Sequence, residues 1–218
     1  MIKLTIDGKK VTADGEATIL EVAREEGIEI PTLCYHEALT PIGACRLCVV
    51  EVTENGRTRT MAACVAPVSE GMEVVTNSEK IQNIRRTIVQ LLLARCPELE
   101  VIRELADKLG VKDTPFKPES EDCFLCGICV RACDEIVGVS AIGFSNRGVR
   151  NEVLPPFAEA SNVCIGCGTC TTVCPARTFD LERVTKSESM HTFAKEYRRD
   201  YCSICGTHYM IPESYLSE

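Results

Sequence analysis

Two stretches of this chain carry cysteines at one spacing. "CFLCGICVRAC" holds Cys123, Cys126, Cys129 and Cys133, and "CIGCGTCTTVCP" holds Cys164, Cys167, Cys170 and Cys174. Both read C-x2-C-x2-C-x3-C. Three thiolates at that spacing wrap three corners of an iron–sulfur cubane, and the fourth cysteine reaches the other cluster. The chemistry would be one-electron transfer. On that reading Cys123, Cys126, Cys129 and Cys174 hold a first [4Fe-4S] cluster, and Cys133, Cys164, Cys167 and Cys170 hold a second. Gly127, Gly166 and Gly168 leave room for the backbone to approach sulfur. Zinc knuckles would show paired cysteines without the crossed fourth. Asp134 stands where the first run would carry the proline that Pro175 supplies in the second. Polarity beside a cluster shifts its potential, so the two clusters need not be equivalent.

A further set lies nearer the start: Cys34, Cys45, Cys48 and Cys64, spaced C-x10-C-x2-C-x15-C. The plant-type [2Fe-2S] pattern is C-x4-C-x2-C with a distant fourth cysteine. This chain keeps the C-x2-C core and the distant partner and lengthens the first loop. Gly43 and Ala44 give that loop the room to turn amides toward sulfur. Four thiolates suit a [2Fe-2S] cluster; a structural zinc is the plainer alternative.

Cys202 and Cys205 form a last C-x2-C pair, and two sulfurs do not close a four-ligand site. Three arrangements are open. His191 and His208 would complete a zinc site of two thiolates and two imidazoles. Cys96 or a partner subunit would complete it differently. Or the pair is a metal-free remnant in a tail that docks on a partner.

Fifteen cysteines in 218 residues call for disulfides or metals. The start, "MIKLTIDGKK", lacks a basic region followed by an apolar one, so no secretory signal is expected. The longest largely apolar run, Ile88 to Ala94, is far short of the roughly 20 residues a spanning helix needs. A cytoplasmic chain keeps its thiols reduced, which favours metals. The net charge of −8 and pI near 5.1 argue against nucleic-acid binding, which needs clustered Lys and Arg. No phosphate-cradling glycine motif and no nucleophile–base constellation stands out, so no substrate site is expected in this chain.

The elements that must position these thiols follow from pattern. "KLTIDGKKVTA" alternates around Asp7-Gly8, a tight-turn dipeptide. Thr18 and Glu21 have capping-box spacing ahead of a helix that Gly27 suits for ending. "RLCVVEVTENGRTRTMAACV" reads as a second hairpin turning at Asn55-Gly56, and "MEVVT" as a short strand. Residues 1–78 thus read as a compact α+β domain. Residues 79–112 read as a helical spacer, with Ile81, Ile84, Ile88, Leu91 and Leu92 sharing a face. Arg85 and Arg86 then belong to a solvated face or a docking surface. Residues 113–180 are rich in Cys and Gly and need staples to fold. Residues 181–218 form a polar, weakly patterned tail.

Over about residues 1–180, "PTLCYHEALTPIGACRLCVVEV" followed by "CFLCGICVRACDEIVGVSAIGFSNRG" resembles a known module. It is similar to the N-terminal iron–sulfur region of the large complex I subunit and to the small diaphorase subunit of NAD-reducing hydrogenases. It is also similar to the extensions of iron-only hydrogenases and NAD-linked formate dehydrogenases. The resemblance implies a β-grasp [2Fe-2S] domain followed by a two-[4Fe-4S] bacterial-ferredoxin-like domain. It implies an electron-transfer subunit between an NAD(P)H-flavin subunit and a catalytic oxidoreductase subunit. A free polyferredoxin carrier is the alternative. In that family a further [4Fe-4S] site with one histidine and three cysteines commonly lies between the two domains. Its histidine would fall in "LLLARCPELE", where this chain has Cys96, and the following cysteines are missing; that cluster is not expected here. In formate-dehydrogenase-like chains a C-x2-C-x3-C cluster motif can follow the ferredoxin module; here Tyr209 takes the place of its third cysteine.

Overall fold

The computed structural model describes residues 1–158, 161, 163–178, 197–201 and 208–212; in the last two ranges only the backbone is described. The chain divides into two compact units, Met1–Cys126 and Gly127–Glu218.

The first unit opens with the hairpin of β1 (Ile2–Ile6) and β2 (Lys9–Ala13). Its turn is Asp7-Gly8, both residues at positive φ (48° and 81°), the backbone of a two-residue turn matched to strand twist. Alternation sends Leu4, Ile6, Val11 and Ala13 inward. Helix α1 (Ile19–Glu25) starts on the expected capping box: the Thr18 hydroxyl accepts from the Glu21 amide, and the Glu21 carboxylate accepts from the Thr18 amide. It buries Ile19, Leu20, Val22 and Ala23.

The second hairpin, β3 (Val49–Glu54) and β4 (Arg57–Ala62), turns at Asn55-Gly56, again with both φ positive. Strand β5 (Glu73–Val75) then pairs parallel to β1 and antiparallel to β3. The sheet order is β2-β1-β5-β3-β4. This is a mixed sheet with helices, and its core includes the Cys48 and Cys64 side chains.

Helix α2 (Glu79–Arg95) begins at the Ser78 cap, and α3 (Glu100–Lys108) follows Pro97. The buried face of α2 differs from the expected one. It runs through Ile81, Arg85, Val89 and Ala94, while Leu91 is 51% exposed. The reason lies in spacing: Ile81, Arg85 and Val89 step by four residues and stack on one stripe. That stripe packs on β3 in the same unit. The solvated-face expectation holds for Arg86 and fails for Arg85, which is 4% exposed.

In the second unit, α4 (Ile128–Arg131) runs into a π-type turn, Ala132–Ile136. Strands β6 (Gly143–Ser145) and β7 (Glu152–Leu154) pair antiparallel, and α5 (Thr169–Thr172) packs against α4. Strands β8 (Tyr197–Tyr201) and β9 (His208–Pro212) form a hairpin closed by the Tyr201–His208 pair. Among the described residues, no helix is long and apolar enough to cross a membrane.

Candidate iron–sulfur sites

The four thiols of the N-terminal set come from separate pieces of backbone. Cys34 and Cys45 lie on the loop between α1 and β3. Cys48 lies just before β3, and Cys64 just after β4. The pairing of β3 with β4 sets Val49 opposite Ala62, and the Ala63 amide donates to the Cys48 carbonyl at 3.0 Å. That register places the Cys48 and Cys64 sulfurs 3.4 Å apart. On the loop, the Cys45 amide donates to the Cys34 sulfur at 3.4 Å. The loop reaches this geometry through Gly43 at φ +61° and Arg46 at φ +58°. Alanine in place of Gly43 would set its Cβ 3.3 Å from Val65 Cγ2.

The sulfurs thus gather as two pairs, Cys34 with Cys45 and Cys48 with Cys64. Among the described residues, no three His, Cys, Asp or Glu groups converge as one metal ion would require. Two pairs of thiols fit a two-iron centre better, since each iron then takes two sulfurs. Protonation supports ligation. The Cys34 thiol and backbone amides bond to Cys45 sulfur and hold its pKa near 6. The hydrogen bond that Cys48 shares with Cys64 holds the Cys48 pKa near 7. The partners Cys34 and Cys64 are pushed up, first by sharing that hydrogen bond and then by burial. Amides aimed at sulfur favour thiolate, the form that binds metal. Cys34, Cys48 and Cys64 are buried, and Cys45 is the one partly open to solvent.

The two later runs repeat in backbone as they do in sequence. Gly127 and Gly168 precede α4 and α5 in matching left-handed conformations, φ 72° and 71°. Leu125 (φ 57°) holds the position that Gly166 (φ 66°) holds in the second run. At Leu125 the twist turns its amide onto the Cys123 sulfur, at 3.4 Å. In the second unit the Ala141 amide donates to the Cys133 sulfur at 3.2 Å. Cys170 has its pKa pushed up to about 12, first by burial and then by the nearby sulfurs of Cys167, Cys164 and Cys133. The loop after the π-type turn thus holds the Cys133 sulfur through the Ala141 amide. Cys126 and Cys129 are buried, and Cys174 follows α5. Asp134, in the proline's place, accepts a hydrogen bond from Ser140. No disulfide joins any of the described cysteines.

Cys96 caps the C-terminal end of α2, is fully buried, and has its pKa raised to about 12 by burial. On the loop that carries Cys34, the His36 Nδ1 accepts from the Ala38 amide. Cys202, Cys205 and His191 lie outside the described residues, as does the side chain of His208.

Sequence reasoning missed Arg85. Its Nε donates to the Leu47 carbonyl at 3.0 Å and its Nη2 to the Val49 carbonyl at 2.9 Å, on either side of Cys48. The i+4 spacing from Ile81 and to Val89 was the available signal.

Residues 1–79 match a 2Fe-2S iron–sulfur cluster binding domain, the class that this fold and these thiols define. The chain is 36% identical to the NADPH-Fe(3+) oxidoreductase subunit alpha of Geobacter sulfurreducens, over 82% of this chain and 24% of that one. It is 34% identical to the NADP-reducing hydrogenase subunit HndD of Solidesulfovibrio fructosivorans, over 80% of this chain and 35% of that one. In fold it is similar to a chain of an NAD+-reducing [NiFe]-hydrogenase crystallised in the H2-reduced state. That likeness has a TM-score of 0.63 and 32% identity, over 71% of this chain and 75% of that one. The chain therefore belongs to the family of iron–sulfur electron-transfer subunits of NAD(P)-linked hydrogenase and oxidoreductase complexes. It spans about a quarter to a third of the length of the curated relatives it matches.

Proposed function

We propose that this chain relays single electrons within a multi-subunit oxidoreductase, between an NAD(P)H-flavin subunit and a catalytic oxidoreductase subunit. The observation that carries the reading is the gathering of Cys34 with Cys45 and of Cys48 with Cys64 in a domain of the 2Fe-2S class. In this reading residues 1–78 are a β-grasp domain and 113–180 a bacterial-ferredoxin-like domain, in a reducing cytoplasm. The spacing of the two later runs assigns the [4Fe-4S] ligands: Cys123, Cys126, Cys129 and Cys174, then Cys133, Cys164, Cys167 and Cys170. The Cys133 sulfur is among the charges that raise the Cys170 pKa, in keeping with the crossed second set. A zinc site at Cys202, Cys205, His191 and His208 is part of the proposal.

Iron–sulfur clusters supply reversible one-electron chemistry. The residues do the rest. Cys48 and Cys64 keep their sulfurs inside the apolar core and away from water. The amides of Cys45, Leu125 and Ala141 each donate to a ligand sulfur, at 3.2–3.4 Å. Such bonds disperse negative charge and set a cluster's potential.

The test is Fe, acid-labile sulfide and Zn per chain on protein purified without air. About ten Fe is expected, two from a [2Fe-2S] and eight from two [4Fe-4S] clusters. One Zn in addition supports the tail site; no Zn makes that pair a remnant or a half-site. Several Zn with far less Fe overturns the electron-transfer reading. Purified chain that reduces NAD+ by itself overturns the division of labour between subunits.

A further inference from the structure

We infer that Arg85 is a positioning residue for the [2Fe-2S] centre: a fixed buried cation, lodged behind Cys48, that favours the reduced cluster. The inference rests on the cluster assignment to Cys34, Cys45, Cys48 and Cys64.

Burying a guanidinium is costly unless charge and hydrogen bonds compensate it. Arg85 is 4% exposed. It lies on the buried stripe of α2 between Ile81 and Val89, both fully buried. Its two described hydrogen bonds go to neutral carbonyls, those of Leu47 and Val49. Among the described residues it joins no ion pair at salt-bridge distance. Burial works against its charge, while the Cys48 sulfur and then the Asp7 carboxylate support it. Asp7 is already engaged by the Thr76 amide and hydroxyl, at 2.7 and 2.6 Å. The buried cation thus sits beside a cluster ligand, its fork on the carbonyls on either side of Cys48.

The geometry has two effects. The planar fork grips the carbonyls of the residues on either side of Cys48, Leu47 and Val49, which fixes that stretch of backbone relative to Cys64 across the β3–β4 register. The charge also acts on the centre itself. Reduction adds one electron to an already anionic cluster, with no proton required. A cation held in a low-dielectric core stabilises that added charge more than one in water would. Because α2 carries the cation, the helix that follows the sheet is part of the redox centre's electrostatics.

The test is an EPR-monitored redox titration of the [2Fe-2S] signal in the full, cluster-loaded chain, with Fe counted for each sample. The variants are Arg85→Lys, Arg85→Gln and Arg85→Met. The two neutral variants should lose at least tenfold in the equilibrium constant for reduction, a midpoint about 59 mV lower for one electron. Arg85→Lys, which keeps charge but not the fork, should stay within threefold of wild type. Neutral variants that keep the wild-type midpoint overturn the inference. So does a lysine variant that falls as far as the neutral ones, because then only the hydrogen bonds mattered. If the neutral variants assemble no [2Fe-2S] cluster, the lysine variant decides. A wild-type midpoint there supports the charge, and a tenfold loss or a failure to assemble overturns it. Wild-type protein without a [2Fe-2S] signal would instead remove the cluster assignment itself.

Discussion

Cys48 and Cys64 are separated by sixteen positions in sequence and by 3.4 Å between sulfurs. The hairpin between them does this work. Its turn at Asn55-Gly56 fixes the register, and the register sets Cys48, just before β3, beside Ala63, whose next neighbour is Cys64. Two sulfurs that close in water would repel as thiolates. In the buried core one takes a hydrogen bond from the other, and a metal would replace that proton.

Replacing Cys64 with alanine should therefore remove one centre only. We expect loss of roughly two Fe per chain and of the [2Fe-2S] EPR signal, with the [4Fe-4S] signals kept. Loss of all iron from a chain that still folds would show that the units do not load independently.

Gly43 turns the loop between Cys34 and Cys45 at φ +61°, with Val65 close by. Gly43→Ala carries a left-handed Cβ penalty of about 1–2 kcal/mol. For a chain of this size that is a fall in Tm of roughly 2–8 °C. Thermal melts of loaded protein, with Fe counted beforehand, check it. An unchanged Tm and iron content would mean the loop relaxes freely.

Thr18 and Glu21 close the capping box of α1. Thr18→Ala should cost about 1 kcal/mol, and Thr18→Ser should recover most of it. The comparison of melting points is the measurement. Equal losses in both variants would assign the effect to the lost methyl rather than to the cap.

Cys96 has a folded pKa of about 12 against an ordinary 9.0, because burial disfavours its thiolate. The folded state holds this proton where the unfolded state gives it up. Its contribution is whole below about pH 9 and is lost as pH rises from there toward 12. Between pH 9 and 11 wild type should lose stability more steeply than Cys96→Ala, by up to about 1 kcal/mol per pH unit. Parallel Tm-against-pH curves for the two proteins would contradict this.

Local features were legible because short-range chemistry determines them. Asp7-Gly8 and Asn55-Gly56 announce tight turns. Thr18 and Glu21 announce a helix start. The C-x2-C core and distant fourth cysteine of the first set pointed to the 2Fe-2S class that residues 1–79 match. The face of α2 was read less well. A list of apolar residues at helical intervals favoured Ile84, Ile88 and Leu91 over the stripe that contains an arginine, and pattern reading assumes that charge points outward.

The sequence by itself determined the intervals of the candidate ligand cysteines, and it determined the hairpin turns and the cap because each depends on residues within a few positions of one another. Only the tertiary structure decided how Cys34, Cys45, Cys48 and Cys64 divide into two pairs, since strand register brings distant sulfurs together. It alone decided that Arg85 lies inside, on the Leu47 and Val49 carbonyls on either side of Cys48. A buried charge becomes acceptable only when a partner is already waiting, and that partner lies 36 to 38 residues away along the chain.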